Sequence, residues 1–470
     1  MKAWELEQVR SATQSRWLAR GTRAFTGRIC TDSRKAAAGD LFIAIVGQNH
    51  DAHAYLPQVI AADVAAVLVH QDLSAEVLGA AQAHGVAVLQ TDETIRGLNR
   101  LAAAYRATIR AKVIAVGGSN GKTTTKRIID TVLQQKLPGS ASPKSFNNNI
   151  GMPLTLLGVD PAHEYVVLEI GTNAPGEIAA LGAVCRPDVA VITSIGLEHL
   201  EKLQDLAGVA REEAAIAGFV PAGGMMIVPA DAPDLLELLK RTSLPRVTVG
   251  PEGSGADLTA TDVHVTAAGS TFLLNGRTRF RVPLLGEHNV YNALTAVAVA
   301  RRMGLSEEQI VAGLAKVEPV EMRMELLTVG PHTVLFDAYN ANPSSMAAAL
   351  RTFARMELPA GLRRVAVLGD MLELGAASAA MHSAVGRQAA QAGLRQLVTV
   401  GPAMRQAAEA AAAAGLACAS FADTAAAAEA APGLLREPAA VLLKGSRGMR
   451  LERVLEALRR AAPDAALAAT

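Results

Sequence analysis

A glycine-rich turn that runs directly into lysine and threonine constrains this chain more than any other segment. The apolar run Val113-Ile-Ala-Val116 precedes the sequence Gly118-Ser-Asn-Gly-Lys-Thr-Thr124. Glycines let backbone amides approach a phosphate chain, and the N-terminus of the following helix adds partial positive charge. The lysine would reach the β- and γ-phosphates, and the first threonine hydroxyl would ligate Mg²⁺. The segment therefore predicts a strand, a phosphate-binding turn and a helix.

The turn has the shorter Gly-x-x-Gly-Lys-Thr form, because Val116 stands where the full spacing has a glycine. An ordinary glycine-rich turn between a strand and a helix is the alternative, and the Gly-Lys-Thr order disfavours it. The residues predicted to bind a nucleotide here are Gly118, Ser119, Asn120, Gly121, Lys122, Thr123 and Thr124.

Two polar residues follow neighbouring apolar runs further along the chain. Glu169 ends the run that begins at Tyr165, and His199 follows the run that begins at Val189. Open α/β sheets bind ligands at the carboxyl ends of their parallel strands. Either residue alone would be an ordinary polar group at a strand end. Together, beside a triphosphate, they could hold a second divalent cation.

A carboxylate lies within an apolar stripe on the helix expected after His199. Glu213 falls inside the stripe and Glu212 beside it, and the stripe consists of Leu206, Val209, Ala210, Ile216, Ala217 and Val220. An ionised carboxylate on a core-facing position is costly unless it is paired or bound to a metal. The stripe therefore faces a wet cleft, or Glu213 meets a cation, or its side chain reaches the surface.

Two asparagines open a later helix. Asn289 and Asn292 lie three residues apart in Gly286-Glu-His-Asn-Val-Tyr-Asn292, so they share one helix face. Their amides could meet a purine edge, and capping of the helix N-terminus is the alternative.

The order of apolar runs and helical patterns predicts an α/β protein with three domains. The length of 470 residues allows about three domains of roughly 150 residues each. We predict a small α/β domain over 1–110, a central nucleotide-binding domain over 111–318 and a Rossmann-like α/β domain over 319–470. The central sheet should be mostly parallel, with an antiparallel appendage over 257–285 that turns at Asn275-Gly276. The alanine-rich segment 403–431 predicts two surface helices.

Composition excludes several classes of protein. The formal net charge is +1 and aromatic residues make up 3%, so neither a basic surface nor stacking rings favour nucleic acid. Three separated cysteines support no disulfide framework and no zinc site. No run approaches the roughly 20 apolar residues that span a bilayer, so we expect no membrane insertion. We expect a soluble, cytoplasmic protein that acts as a monomer.

Taken together, these motifs resemble the ATP-dependent Mur ligases over nearly the whole chain. Thr31-Asp-Ser-Arg34 and Asp51-Ala-His53 are similar to the family's UDP-sugar domain, and Asn147-Asn-Asn-Ile-Gly-Met-Pro153 to its substrate-side segment. Asp337-Ala-Tyr-Asn-Ala-Asn-Pro343, Gly369-Asp-Met-Leu-Glu-Leu-Gly375 and Lys444-Gly-Ser-Arg447 resemble motifs of its last domain. The substrate-binding residues implied by the resemblance are Ser33, Arg34, Asp51, His53, Asn147, Asn148, Tyr339 and Asn340.

The resemblance implies an ADP-forming peptide ligase that uses ATP and Mg²⁺. The Tyr-Asn-Ala-Asn-Pro and Gly-Asp-Met-x-Glu-Leu-Gly segments resemble those of the members that join D-alanyl-D-alanine to UDP-N-acetylmuramoyl-tripeptide through an acyl phosphate. The third residue of the tripeptide, diaminopimelate or lysine, stays open. The resemblance also implies that Asn289 and Asn292 lie on the adenine side of ATP and that Asp337 binds its ribose. The implied metal ligands are Thr123, Glu169, His199 and Glu213, and the implied catalytic residues are Lys122, His199, Glu213 and Arg323.

Two positions depart from the family pattern. Met322 precedes Arg323, the arginine that reaches the γ-phosphate in the family, where a glycine is usual. Glu213 stands where the family has a lysine that becomes carbamylated and supplies a carboxylate to the second Mg²⁺. We hypothesise that Glu213 supplies this negative charge directly, through a bridging water or a helix shift because its side chain is shorter.

The sequence leaves three alternatives open. A sibling ligase that adds the third amino acid would be expected to carry Asp-Asn-Pro-Arg in its last domain, and this chain has no such run. An enzyme like folylpolyglutamate synthetase is the second alternative. A phosphate-loop ATPase without ligase activity is the third, and it leaves the UDP-site motifs unexplained.

Overall fold

Three β-sheets follow one another along the chain, each flanked by helices. The structure is a computed structural model that describes residues 1, 4–47, 49–359 and 361–462. The sheets have five, nine and six strands, and most neighbouring strands are parallel. The predicted α/β class is therefore confirmed.

The first sheet has the strand order β1-β5-β4-β3-β2, with only β1 antiparallel to its neighbour. Short 3₁₀ turns cover Ser33–Lys35 and Ala52–Tyr55. The elements are α1 (Leu6–Thr13), β1 (Arg16–Ala19), β2 (Ile29–Cys30), β3 (Leu41–Ile43), α2 (Leu56–Ala61), β4 (Ala66–Val69), α3 (Ala75–Ala83), β5 (Ala87–Gln90) and α4 (Thr94–Arg106).

The second sheet has the order β14-β13-β12-β11-β10-β9-β6-β8-β7. The predicted antiparallel appendage, β12 to β14, continues this sheet because β12 pairs with β11 in parallel. The elements are β6 (Lys112–Gly117), α5 (Lys122–Leu133), β7 (Gly139–Ala141), α6 (Gly151–Leu157), β8 (Tyr165–Glu169), α7 (Glu177–Cys185), β9 (Val189–Ile192), α8 (Leu200–Leu203), α9 (Leu206–Ala214), β10 (Met225–Pro229), α10 (Pro233–Leu239), β11 (Arg246–Pro251), β12 (Leu258–Thr266), β13 (Gly269–Leu274), β14 (Thr278–Val282), α11 (Glu287–Arg302) and α12 (Glu307–Leu314).

The third sheet has the order β15-β16-β20-β17-β18-β19, with β15 antiparallel at one edge. The prediction of two helices over 403–431 is incomplete, because a strand at Cys418–Phe421 separates them and extends the sheet. The elements are β15 (Glu325–Val329), β16 (His332–Asp337), α13 (Pro343–Arg355), β17 (Arg363–Gly369), α14 (Ser378–Gln391), β18 (Gln396–Val400), α15 (Arg405–Ala413), β19 (Cys418–Phe421), α16 (Thr424–Leu434), β20 (Ala439–Lys444) and α17 (Glu452–Ala461).

Helices cover both faces of the central parallel strands. On β6, Val113 and Ala115 face one buried apolar cluster, while Ile114 and Val116 face another. Burial on both faces explains why these strands are continuous apolar runs without alternation. Their carboxyl ends are therefore held rigidly, and the phosphate-binding turn begins at one of them.

The boundary predicted near residue 110 falls in a region where helices of two sheets pack together. Helix α4 follows the first sheet in the chain but packs on α1, α6 and α7. The domain limits 1–110, 111–318 and 319–470 stay predictions, and 463–470 lie outside the described residues. Across the described part of the chain, every helix is too short or too polar to cross a bilayer.

Candidate functional site

The glycine-rich turn joins β6 to α5, as predicted. Gly118 and Gly121 have φ angles of 104° and 84°, which side chains other than glycine rarely adopt. A Cβ on Gly121 would lie 2.5 Å from Asn292 Oδ1, and one on Gly118 would lie 2.7 Å from Thr193 N. The turn therefore needs glycine at both positions for conformational and steric reasons.

Lys122 and Thr123 begin helix α5 directly after the turn. Lys122 Nζ donates to the carbonyl oxygens of Gly118 and Ser119, at 2.5 and 3.3 Å. The lysine thus lies along the turn, with its charge where a phosphate would meet the backbone amides. Thr123 Oγ1 donates to Glu169 Oε1 at 3.1 Å.

Glu169 ends β8 and is 1% exposed. Its Oε2 lies 2.9 Å from Lys126 Nζ, and its Oε1 also accepts from Asn147 Nδ2 at 3.3 Å. Burial lowers the pKa of Lys126, and Glu169 opposes that effect. Lys126 was not predicted from the sequence, although it lies one helical turn after Lys122 on α5. The carboxylate is thus compensated by a buried cation beside the threonine hydroxyl.

Glu213 lies on α9 and is fully buried, as its place in the apolar stripe predicted. Its Oε2 accepts from Gly118 N at 2.9 Å, so the side chain reaches the phosphate turn. Its Oε1 is buried without a hydrogen-bond partner among the described residues. Burial raises the pKa of Glu213 to about 7, and the nearby Lys122 acts against this rise. The interpretation of Glu213 as a surface side chain is therefore wrong.

One residue of the stripe and one beside it differ from the expectation. Leu206 is 40% exposed, because it stands at the start of α9. Glu212, placed beside the stripe, is buried as well. Its carboxylate accepts from Gly176 N at 2.7 Å and Ile178 N at 2.8 Å. It therefore satisfies amides at the start of α7, whereas Glu213 keeps one oxygen unpaired.

His199 contacts the last domain of the chain. Its Nδ1 lies 2.5 Å from Glu373 Oε2, and both residues have left-handed φ angles of 50° and 62°. Glu198, next to it, is buried, and its Oε1 has no partner in the described part of the chain. Burial raises the pKa of Glu198. Neither Glu198 nor Glu373 was predicted from the sequence.

The four predicted metal ligands are only partly brought together. Thr123 and Glu169 are in contact, and Glu213 lies at the other end of the turn. The described residues contain no group of three His, Cys, Asp or Glu side chains arranged to hold a metal ion. Three of the four, Thr123, Glu169 and Glu213, offer the oxygen donors that Mg²⁺ prefers, and Glu213 Oε1 is a buried oxygen without a partner among the described residues, whereas His199 offers nitrogen. The metal-ligand set stays a prediction.

Arg323 reaches the phosphate turn from the segment before β15. Its Nη2 donates to Thr123 Oγ1 at 3.0 Å, and its guanidinium carbon lies 4.2 Å from the centre of the Tyr339 ring. Met322 has a φ of 60°, in the left-handed region that favours glycine. A methionine at this position therefore adopts a backbone conformation that costs free energy.

Asp337 and Lys444 end the paired strands β16 and β20. Lys444 Nζ lies 2.7 Å from Asp337 Oδ2, donates to Asn340 O at 3.0 Å, and is 2% exposed. The register of the two strands brings this pair together, and the sequence alone did not predict it. A ribose at Asp337 would thus meet a carboxylate whose charge is already balanced.

Asn289 and Asn292 are hydrogen-bonded to each other, and Asn289 is also bonded to the backbone before α11. Asn292 Nδ2 donates to Asn289 Oδ1 at 2.8 Å, and Asn289 Nδ2 donates to Leu285 O at 2.9 Å. The N-cap of α11 is Gly286, so the capping alternative is wrong. Both asparagines line the main cavity.

Residues of all three predicted domain ranges line one cavity of about 790 Å³. Asn99 of α4 represents the first range. Seven of the predicted site residues are absent from its wall: Gly118, Thr123, Glu213, Ser33, Arg34, Asp51 and His53. The wall contains Ser119, Asn120, Gly121, Lys122, Thr124, Asn147, Asn148, Glu169, His199, Asn289, Asn292, Arg323, Asp337, Tyr339 and Asn340.

The four substrate residues predicted in the first domain form two short 3₁₀ turns. Asp32 caps the turn that contains Ser33 and Arg34, and its ion pair with Arg34 lowers the pKa of Asp32 to about 2. Asp51 Oδ1 lies 2.7 Å from His53 Nδ1. Burial lowers the pKa of His53. The charges of Arg34 and Asp51 are therefore partly engaged locally.

Asn120 links the turn to helix α13 of the third sheet. Its Oδ1 accepts from Asn342 Nδ2 at 2.9 Å, and its Nδ2 donates to Ser344 Oγ at 2.9 Å. Asn342 also caps α13, by accepting from Ser345 N at 2.8 Å. The Asn-Pro pair in the sequence is a capping signal, but the contact with Asn120 depends on tertiary structure.

Two protein-family models match the chain. One, described as the Mur ligase middle domain, matches residues 116–300. The other, described as Mur ligase, glutamate ligase domain, matches residues 322–447. These ranges contain the phosphate turn and the segment from Arg323 to Lys444.

Two curated relatives that share one name match three quarters or more of the chain. The UDP-N-acetylmuramoyl-tripeptide–D-alanyl-D-alanine ligase of Escherichia coli is 35% identical over 437 residues, which are 92% of this chain and 93% of that protein. The enzyme of that name from Bacillus subtilis is 36% identical over 360 residues, 76% of each chain.

Among solved structures, MurF from Acinetobacter baumannii has a TM-score of 0.87 and 33% identity, and covers 97% of this chain and 99% of its own. Thermotoga maritima MurF in complex with ADP has a TM-score of 0.80 at 23% identity, over 93% of this chain and 97% of its own, a likeness of fold.

Proposed function

Because the chain belongs to the Mur ligase family, we propose that it joins D-alanyl-D-alanine to UDP-N-acetylmuramoyl-tripeptide. ATP is converted to ADP and phosphate, and the product is the UDP-linked pentapeptide precursor of peptidoglycan. The observation that carries this proposal is a cavity of about 790 Å³ whose wall includes residues of the phosphate turn, Asn147 and Tyr339. The Escherichia coli relative, whose name gives both of these substrates, matches 92% of the chain.

We assign the nucleotide to the central sheet. Backbone amides of the turn and Lys122 bind the phosphates, and Arg323 meets the terminal phosphate from the opposite side, since it already contacts Thr123. Asn289 and Asn292 take the adenine side of the cavity, and Asp337 the ribose. The ranges 1–110, 111–318 and 319–470 then serve UDP-sugar binding, ATP binding and closure over the reacting groups.

Two anions must be brought together in the first step. The carboxylate of the tripeptide attacks the γ-phosphorus, the bond to the bridging oxygen of ADP breaks, and an acyl phosphate forms. Lys122 and Arg323 reduce the repulsion between the carboxylate and the phosphate and stabilise the charge of the transferring group. Mg²⁺ held by Thr123, Glu169, His199 and Glu213 would supply further charge neutralisation at the same phosphates.

In the second step the free amine of D-alanyl-D-alanine attacks the acyl carbon, and phosphate leaves. Water would hydrolyse the acyl phosphate, so the cavity must close over it. The contacts of Asn120 with Asn342 and Ser344 hold the third domain against the phosphate turn. We place the reaction in the cytoplasm, in keeping with three free cysteines. We also propose that the enzyme acts as a monomer.

Phosphate release measured with omitted co-substrates tests this function. Release from ATP that requires both UDP-N-acetylmuramoyl-tripeptide and D-alanyl-D-alanine, with formation of the pentapeptide, is the expected result. Release without either co-substrate would favour an ATPase, and release with a single amino acid in place of the dipeptide would favour a sibling ligase. Lys122→Ala serves as the inactive control.

A further inference from the structure

We propose that Tyr339 is a positioning residue whose ring holds the Arg323 guanidinium against the phosphate turn, so that this arginine recognises the terminal phosphate of ATP. The inference rests on the proposed function, and it assigns Tyr339 a different role from the substrate contact that the sequence predicted. The role would be exerted through Arg323 and not through contact with the peptide.

The backbone around Arg323 is held in an unusual shape. Met322 and Met324 on either side have φ angles of 60° and 51°, a left-handed conformation that costs free energy for residues other than glycine. Two hydrogen bonds, to the last residue of β16 and to a residue just after it, maintain this shape. Tyr339 N donates to Met322 O at 3.2 Å, and Met324 N donates to Asp337 Oδ1 at 3.3 Å. The segment that carries Tyr339 therefore also fixes the main chain of Arg323.

The guanidinium rests on the Tyr339 ring. Its carbon lies 4.2 Å from the ring centre, well inside the roughly 6 Å within which a cation is attracted to an aromatic face. One nitrogen, Nη2, donates to Thr123 Oγ1. The buried Nε has no hydrogen-bond partner among the described residues. The ring is therefore the main support for the plane of this side chain.

The electrostatic surroundings leave the charge of Arg323 available to a ligand. Lys126, the neighbouring cation, already has its own partner, because its Nζ lies 2.9 Å from Glu169 Oε2. A guanidinium stacked on a ring can bind a phosphate without losing an ionic partner, whereas a guanidinium paired with a carboxylate would first have to leave that carboxylate. Because Nη2 lies 3.0 Å from the Thr123 hydroxyl at the start of α5, an incoming terminal phosphate would meet it there.

ADP lacks the γ-phosphate that Arg323 would recognise. A comparison of ATP-analogue binding with ADP binding therefore distinguishes the loss of this contact from a general effect on folding. Loss of the ring should weaken binding of an unreactive ATP analogue and leave ADP binding nearly unchanged. Loss of the phenol hydroxyl alone should change neither. A side chain that merely fills space, or that touches the peptide, would not produce this difference between nucleotides.

The experiment compares Tyr339→Leu and Tyr339→Phe with the unmodified chain by calorimetric titration with Mg²⁺ and either AMP-PNP or ADP. For Tyr339→Leu we expect the AMP-PNP affinity to fall about threefold to tenfold and the ADP affinity to change less than about twofold. Tyr339→Phe should retain both affinities. Thermal unfolding of each variant checks that the fold is intact.

A double-variant cycle with Arg323→Ala shows whether the ring acts through the arginine. Adding Tyr339→Leu to Arg323→Ala should cause no further loss of AMP-PNP affinity. In turnover assays, kcat should fall while the KM for D-alanyl-D-alanine stays constant. Equal losses for AMP-PNP and ADP, additive losses in the cycle, or a change confined to the KM of the dipeptide would each overturn the proposal.

These titrations need no peptide substrate, so the two proposals fail separately. If the unmodified chain released phosphate without both co-substrates, the proposed ligase function would fail, whereas the difference between AMP-PNP and ADP would still decide the role of Tyr339.

Discussion

In the absence of nucleotide and Mg²⁺, replacing Glu213 by glutamine should raise the free energy of unfolding of the protein at alkaline pH. The carboxylate is fully buried, and its pKa is raised to about 7 from an ordinary value of 4.5. Each pKa unit corresponds to about 1.4 kcal/mol, so keeping this group ionised costs about 3 kcal/mol. Glutamine retains an acceptor for Gly118 N and carries no charge.

The pH range of this effect follows from the upward shift of the Glu213 pKa on folding. The folded protein holds the proton of Glu213 more tightly than the unfolded chain, so the favourable contribution of the protonated form is complete below pH 4.5. It is lost as the pH rises through about 7. The difference in stability between Glu213→Gln and the unmodified protein should therefore grow by about 3 kcal/mol between pH 5 and pH 8.5.

Thermal unfolding at the two pH values measures this difference. For a domain of about 200 residues, 3 kcal/mol corresponds to about 6–12 °C in the unfolding midpoint. A constant cost from an unpartnered amide would shift both midpoints equally, so the change with pH isolates the charge. If the gap between variant and unmodified protein were the same at pH 5 and pH 8.5, the assignment of a buried, destabilising carboxylate would be wrong.

Glu212→Gln is the matched control, because the neighbouring carboxylate is fully paired. A glutamine there would turn an amide donor toward Gly176 N or Ile178 N, and we expect a loss of about 1–3 kcal/mol at pH 8.5. In the ligase assay, Glu213→Gln should lower Mg²⁺-dependent turnover while nucleotide binding persists. Stimulation of the unmodified enzyme by bicarbonate would contradict a direct role of Glu213 as the carboxylate.

Three further substitutions test other parts of the site. Glu169→Gln leaves buried Lys126 without its counter-charge and should cost about 3–5 kcal/mol in urea unfolding, so a change below about 1 kcal/mol would contradict the pairing. Gly121→Ala should abolish detectable ATP binding in titrations, because its Cβ would lie 2.5 Å from Asn292 Oδ1, and near-normal affinity would show that the turn can relax. Glu373→Ala removes the partner of His199 Nδ1 and should lower kcat about 10–100-fold with ADP affinity unchanged, whereas unchanged kcat would make the contact incidental.

Local chemistry made the central features predictable. The Gly-x-x-Gly-Lys-Thr turn, the buried strands β6 and β8, and the hairpin at Asn275-Gly276 each depend on residues close together in the chain. Glu213 could be placed in the core because a helical period of about 3.6 residues sets which face it shares. The strands that prediction missed, such as β7 and β19, are short and contain small or polar residues, so they have no apolar run to mark them.

The sequence by itself determined the residue types of the site, whereas the partners of its charges depended on the tertiary structure. Lys444 meets Asp337 because two strands 107 residues apart pair in one register, and Arg323 meets Thr123 from a separation of 200 residues. Asn120 is held by Asn342 only where the last domain packs on the central one. Sequence patterns report which side of a helix or strand is buried, because that depends on neighbours along the chain. The packing between helices and strands decides which charged residues pair with each other. A local sequence period does not encode the distance between residues that are far apart in the chain.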